Sequence, residues 1–161
     1  MAVAYDSIIY NSVMDEIERV LLEVRDEIRA KMASEGENAS GRTSAGMQVQ
    51  RYESGIRLVL TGNNVAPLAT LEVGRRGGKV PMGFADIIEQ WSRDKGLTFR
   101  RDRDRRRFAY FTARKIARQG TQRYQQPIDI YSEEVTRGVE RLKDSIKAQV
   151  TEYIHNSLIN M

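Results

Sequence analysis

The chain has 161 residues, of which 40% are hydrophobic and 30% charged, and its formal net charge is +4. No apolar run approaches the ~20 residues of a membrane span, and no secretory signal pattern is visible at the N-terminus. Cysteine is absent and histidine occurs once, as His155, which excludes thiolate chemistry and argues against multi-histidine metal sites and hydrolytic triads. We therefore expect one domain over residues 1–161 that is not an enzyme and holds no cofactor or metal.

The charge is unevenly spread along the chain. Residues 1–35 carry four basic and eight acidic side chains, a net of −4. Residues 100–126 carry ten basic and two acidic side chains, a net of +8, and residues 127–161 have a net of −2. Two acidic ends around a basic middle suggest complementary surfaces that face a partner or another copy of the chain.

A long amphipathic helix is predicted for the first segment, because apolar residues recur at steps of three and four up to Met32. Gly36 is well placed for a left-handed residue just beyond the end of that helix. At ~1.5 Å per residue the helix is ~40 Å long, so its stripe is expected to pack against another chain or a returning helix. Residues 37–46 are nearly all small or polar and are predicted to form a mobile docking loop.

A β-hairpin is predicted next, because apolar and polar residues alternate on both sides of the turn at residues 53–55. Residues 65–73 are apolar but include Pro67, which favours an edge strand or a short helix. Residues 127–131 are predicted to form a further short extended piece.

The loop at residues 74–81 is rich in glycine and carries Arg75, Arg76 and Lys79. Such a loop can cradle phosphate, but Val80-Pro81 follows Lys79 where a phosphate-binding loop has Ser or Thr. A mobile turn between two elements is therefore favoured over a nucleotide site.

Three further helices are predicted after this loop. The first spans residues 83–92, with Trp91 on its core face; the second includes Phe108 and ends at Gly120. The third begins at Ser132, which we expect to be its N-cap, and its apolar stripe comprises Val135, Val139, Leu142, Ile146, Val150 and Ile154. The order predicts an α+β domain: a long N-terminal helix and a small antiparallel sheet (the hairpin plus extra strands), packed with three further helices.

An arginine octet at residues 100–107 is the strongest charge feature of the sequence. Its arginines are Arg100, Arg101, Arg103, Arg105, Arg106 and Arg107. Either the octet is a solvated helix entry with local pairs to Asp102 and Asp104, or it contacts phosphate or an acidic protein face. The two aspartates could hold a metal ion for phosphodiester hydrolysis, but neutralisation by the neighbouring arginines is favoured.

The order of these segments resembles the tail-component, or tail-completion, family of tailed bacteriophages. The stretch Leu71–Pro81 resembles the family's E-x-G-R-x-G-K-x-P pattern, and Ile88, Trp91, Lys95 and Gly96 resemble its I-x-x-W-x-x-x-K-G helix. A helix rich in Ala, Ile and Arg that ends in Gly120-Thr121 follows, and the likeness covers about residues 5–150. The arginine octet is more basic than the family pattern leads us to expect.

This resemblance implies a structural virion protein at the head–tail junction or upper tail, assembled in the bacterial cytoplasm. It implies a homo-oligomeric ring, hexameric or dodecameric, that adjoins portal, adaptor or tail-tube proteins and through which double-stranded DNA passes. It supplies no catalytic residues. Within it, we expect Arg75, Arg76 and Lys79 to contact neighbouring subunits or rings, and the arginine octet to face DNA in the lumen or an acidic partner. The alternative from the residues alone is a basic nucleic-acid-binding module.

Overall fold

The computed structural model describes residues 2–37, 39–61 and 68–159. These residues form an α+β fold, as predicted, with a long N-terminal helix and a small antiparallel sheet. The elements in chain order are α1 (Ala2–Ser34), α2 (Arg42–Gly46), β1 (Met47–Tyr52), β2 (Gly55–Leu60), α3 (Leu68–Val73), α4 (Phe84–Asp94), α5 (Asp102–Gln119), α6 (Gln122–Gln125) and α7 (Ser132–Ile159).

Helix α1 ends where the sequence predicted. Gly36 has a φ of 67°, in the left-handed region that glycine occupies without strain. The N–H of Glu37 donates to the carbonyl of Met32 at 2.8 Å, which satisfies one of the free carbonyls of the last turn.

The predicted hairpin is confirmed, with Met47 opposite Leu60 and Tyr52 opposite Gly55. The extra strands that we expected do not join it within the described residues, where the sheet contains β1 and β2 alone. The short-helix alternative holds for residues 68–73, because they form α3, whereas residues 65–67 lie outside the described part. Residues 127–131 form no strand, although the N–H of Ile128 donates to the carbonyl of Glu72 at 3.2 Å.

The predicted loop at residues 37–46 is partly helical, since α2 occupies residues 42–46. This short helix is held by Arg29 of α1, whose guanidinium donates to the carbonyls of Ser44 and Met47 at 2.9 and 2.8 Å. Residue 38 of the same prediction lies outside the described residues.

The main hydrophobic core lies between α1, the hairpin and the start of α7. Its fully buried members are Val20, Val24, Ile28, Met32, Met47 and Ile130. A buried carboxylate, Glu72, joins α3 to this core: it accepts hydrogen bonds from the backbone N–H groups of Ile130 and Ser132 and from the Ser132 hydroxyl. These bonds fix the chain just before α7 begins.

The N-cap that we predicted for α7 is wrong. The carboxylate of Asp129, not Ser132, accepts the free N–H of Glu133, at 3.0 and 3.2 Å. The Ser132 hydroxyl is instead used as a donor to Glu72, at 2.9 Å. Burial opposes ionisation of Asp129. The hydrogen bonds that its carboxylate accepts and the nearby charge of Lys31 nevertheless lower the pKa of this carboxyl overall.

Helices α4 and α5 pack on each other around a second, smaller core of Ile88, Ala109 and Ala113. The small alanine side chains let the two helices approach closely, and Phe84, Phe108 and Ile116 cover their contact. Helix α5 begins at Asp102, so most of the arginine octet forms its first two turns. Asp102 and Asp104 lie in the first turn, where the helix dipole stabilises negative charge.

Candidate interaction surface

The outer face of α5 is both basic and aromatic. Because a helix repeats every 3.6 residues, the side chains at 103, 107, 110, 111, 114 and 118 share the side opposite the α4 contact. Tyr110 and Phe111 on this face are 51% and 62% exposed, and their rings meet edge to face with centroids 5.5 Å apart. The guanidinium of Arg114 lies over the Tyr110 ring at 5.7 Å. We call these six positions the α5 outer face: Arg103, Arg107, Tyr110, Phe111, Arg114 and Arg118.

The positive charge of this region is almost uncompensated within the molecule. Residues 100–119 carry nine basic and two acidic side chains, a net of +7. Among the described residues, the one ion pair of this segment is Arg103 with Asp104, at the limiting distance of 4.0 Å. The expected local pairing of arginines with Asp102 and Asp104 is therefore limited, and the segment is suited to an anionic partner.

One arginine of the octet faces inward. Arg105 donates to the Ser92 hydroxyl at 3.3 Å and lies over the Phe99 ring at 5.0 Å. Phe99 in turn packs on Phe108, with ring centroids 5.3 Å apart. Arg105 thus secures the start of α5 to α4, whereas the exposed members of the octet are Arg100, Arg101, Arg103, Arg106 and Arg107.

The carboxylates of the acidic N-terminal helix, in contrast, form ion pairs within the chain. Every carboxylate of α1 between residues 15 and 27 forms an ion pair, either with an arginine of α1 or with Arg51 or Arg141. Glu27 and Arg141 pair at 2.6 Å across α1 and α7, and hydrogen bonding to Arg141 is the main cause that lowers the pKa of Glu27. Arg19 and Arg51 each pair with two carboxylates, so the acidic end keeps part of its negative charge, and its contact with the basic segment of a second copy stays a prediction.

The glycine-rich loop at residues 74–81 lies against the C-terminal end of α5. The N–H of Arg75 donates to the Thr121 hydroxyl at 2.9 Å, and its carbonyl accepts from the Thr121 N–H at 2.8 Å. The N–H of Gly78 donates to the carbonyl of Ala117 at 2.7 Å. A β-carbon on Gly77 would lie 2.7 Å from the Arg118 carbonyl oxygen, so glycine is required for this approach.

The three cations of this loop differ in exposure. Arg75 is half-buried, with its guanidinium 5.5 Å from the Phe84 ring and one N–H donated to the carbonyl of Lys79. Arg76 and Lys79 are exposed. Contact with a neighbouring subunit stays a prediction, and the geometry makes Arg76 and Lys79 its main candidates.

Trp91 is not a core residue, contrary to the prediction. It is 40% exposed and lines a crevice of about 690 Å³ between α4, α5 and α6, together with Phe84, Arg75 and Lys115. Helix α4 buries Ser92 instead of Trp91, together with Ile88 one turn earlier.

Two groups of acidic side chains are candidates for a cation site. Asp129, Glu133 and Glu134 lie close enough together to share an ion, but the Lys31 ammonium already lies 3.8, 3.3 and 3.1 Å from them. In the described part of the chain, no third carboxylate or histidine joins Asp102 and Asp104.

The sequence interpretation missed the two exposed aromatic residues. Apolar periodicity alone singles out neither Tyr110 nor Phe111 as a surface residue. The signal that could have found them is the helical register of Arg103, Arg107, Arg114 and Arg118, because that register turns positions 110 and 111 outward with the arginines.

No family model, curated protein or solved structure matches the chain. Over the described residues, no helix has both the length and the apolar composition needed to cross a membrane.

Proposed function

We propose that the protein is a structural component of a tailed-bacteriophage virion, which forms a ring at the head–tail junction or upper tail through which DNA passes. The observation that carries the proposal is the α5 outer face. Its side chains extend over ~22 Å of helix at ~1.5 Å per residue, and their charge is almost uncompensated. In a ring, repetition of such a face around the lumen gives a cationic lining for passing phosphate groups.

The resemblance to tail-completion proteins supports the same function. Two of the motifs that carry it are in contact, since the glycine-rich loop is hydrogen-bonded to Thr121 and to Ala117 near the end of α5. These two motifs are thus linked by close backbone packing. The loop leaves Arg76 and Lys79 on the surface, available to a neighbouring subunit.

The direct test is the assembly state of the full chain. We expect light scattering and negative-stain microscopy of the purified protein to give a closed ring of discrete mass, hexameric or dodecameric. An R76E/K79E variant should keep its helical content and lose the ring, whereas a K147E variant, which changes an exposed lysine of α7, should retain it. A chain that stays smaller than a ring at every concentration, with and without duplex DNA, would overturn the proposal.

A basic nucleic-acid-binding module is the second candidate, and the exposed Tyr110–Phe111 pair favours it. Aromatic side chains between cations stack on unpaired bases, at ~1–3 kcal/mol per base. This candidate predicts tight binding by a monomer or dimer, with preference for single-stranded over duplex DNA. The ring proposal predicts weak duplex binding without sequence preference.

A DNA titration against salt separates the two candidates. Each phosphate contact that is lost reduces the slope of log K against log [salt] by roughly 0.7 for single strands and 0.9 for duplex. We expect R107Q/R114Q to lower the slope by about two contacts and K147Q to leave it unchanged. A Y110A/F111A variant should lose affinity for single strands only if the second candidate is correct.

A further inference from the structure

The crevice between α4, α5 and α6 is concave and mostly apolar. Trp91, the sole tryptophan of the chain, lines it together with Leu71 of α3, Phe84 and Ile88 of α4, and Ile116 of α5. Its volume of about 690 Å³ lies within the ~300–1,000 Å³ that is usual for ligand pockets. We call this surface the Trp91 crevice.

The Trp91 crevice carries positive charge that the chain does not compensate. Its lining includes three basic side chains and one acidic side chain, a net of +2. The carboxylate is Glu37, and it is committed to an ion pair with Arg123. Among the described residues, Arg75 and Lys115 form no ion pair, so two cations border an apolar surface without a countercharge.

Arg75 is the cation that most needs such a countercharge. Its guanidinium is held in place, because its Cζ lies 5.5 Å from the centroid of the Phe84 ring and one N–H donates to the carbonyl of Lys79. Its Nε is shielded from solvent and has no hydrogen-bond partner among the described residues. A charge that is partly removed from water is stabilised by an opposite charge nearby, and an anion in the crevice supplies one.

Neutral polar groups of the Trp91 crevice are suited to a peptide backbone. The exposed side-chain amides of Gln122 and Gln126 line it, and neither makes a hydrogen bond within the described part of the chain. A carboxamide both donates and accepts, which matches the alternating N–H and carbonyl groups of a peptide.

We propose that the Trp91 crevice binds a short acidic segment of a partner protein, in which a large apolar side chain lies between carboxylates. The apolar side chain packs on Trp91, and the carboxylates face Arg75 and Lys115. Charge complementarity favours an acidic segment over a neutral or basic one. A nucleotide fits less well, because one face of the Phe84 ring is already covered by Arg75 and no second aromatic face is open beside Trp91.

This inference goes beyond the proposed function and does not rest on it. Thr112 and Ile116 of the crevice lie on the side of α5 opposite the α5 outer face, so the two surfaces can be occupied at once. The ring is tested by the mass of the assembly and the crevice by peptide binding, so the failure of one is distinguishable from the failure of the other.

The test selects the segment from a random peptide library displayed on yeast, with the full chain as bait. We expect the enriched peptides to share Asp or Glu on both sides of a large apolar residue. A selected peptide, synthesised without tryptophan, should shift the emission of Trp91 to shorter wavelength, because the bound peptide removes the indole from water. Its affinity should fall as salt is raised, since salt screens the attraction between the charges.

Two variants at exposed positions check where the peptide binds, with calorimetry as the measurement. We expect K115E to weaken binding at least about 10-fold through repulsion of the peptide's carboxylates, and W91A to weaken it about 30-fold through loss of the aromatic contact. The matched controls are K147E in α7 and Y52A in the hairpin, which alter side chains of similar exposure. A peptide in which lysine replaces one acidic residue should regain affinity for K115E, which a misfolded variant cannot produce.

Several results would overturn the inference. A library that yields no enriched peptide, or only neutral or basic ones, would do so, as would equal affinity of K115E and the unmodified chain. An emission shift with a deoxynucleoside monophosphate and with no peptide would assign the crevice to a nucleotide instead. An assembly that loses mass in W91A would show that a second copy fills it.

Discussion

Gly138 in α7 faces Val24 in α1 so closely that a β-carbon at position 138 would lie 2.3 Å from the Val24 Cγ2 atom. Val24 is itself buried in the main core, so it has little room to move away. Glycine is a poor residue for the interior of a helix, at ~1 kcal/mol relative to alanine. Its presence in α7 is explained by this close approach, which sets the distance between the two longest helices.

A G138L substitution should therefore destabilise the fold. Overpacking of a closely packed contact costs ~1–3 kcal/mol, of which the better helix propensity of leucine recovers less than ~1 kcal/mol. We expect the free energy of unfolding in urea to fall by about 2 kcal/mol. The control is A148L, at an exposed position of the same helix, which should be nearly neutral. Equal stability of the two variants would show that α1 and α7 separate without cost.

The buried carboxylate of Glu72 should be important for stability, because it accepts three hydrogen bonds where the chain enters α7. In E72A, the N–H groups of Ile130 and Ser132 lose their acceptor in a buried place, and we expect a loss of about 2 kcal/mol or more. E72Q retains one acceptor oxygen and should be intermediate. E35A, at an exposed position, is the control. Thermal unfolding that ranks E72A no lower than E35A would contradict this role.

Gly77 should tolerate no side chain, although its backbone conformation is ordinary. A β-carbon there would meet the Arg118 carbonyl oxygen at 2.7 Å and the Gly120 nitrogen at 3.1 Å, and both are backbone atoms. We expect G77A to open the contact between the loop at residues 74–81 and the end of α5. Hydrogen exchange at the Gly78 amide, which donates to Ala117, should become faster, whereas K79A in the same loop should leave it protected.

Stability should fall in acid partly through Glu16. Hydrogen bonds from Arg19 and Ser145 lower the pKa of this carboxyl from 4.5 to about 2. Because the pKa in the folded state is lowered, the contribution is complete above pH 4.5 and is lost as the pH falls toward about 2. E16Q should be less stable than the unmodified chain at neutral pH, and its stability should decline less across that interval. Urea titrations at several pH values measure the difference, and E53Q in the hairpin turn should follow the unmodified chain.

Much of the secondary structure follows from local sequence pattern. The long first helix with its end at Gly36, the hairpin around residues 53–55 and the last helix are set by the spacing of apolar residues and by turn residues. The short helices α2 and α6 lie outside this pattern, since a single turn has too few residues to show a period. The start of α5 could not be located from the sequence either, because the charged residues at 102–107 show no apolar period.

The sequence by itself therefore determined which residues share a face of each helix, and it located the excess of positive charge. Only the tertiary structure decided which face meets which neighbour. Gly138 against Val24, and ion pairs between residues more than 100 positions apart such as Glu27 with Arg141, set the rotation of α7 and turn its apolar stripe outward. Likewise, the close backbone packing of Gly77 on Arg118 turns Arg75 inward, while the Ile88–Ala109 core leaves Trp91 exposed. Periodicity fixes directions within one helix, but the orientation of a helix relative to the rest depends on contacts between residues far apart in the chain.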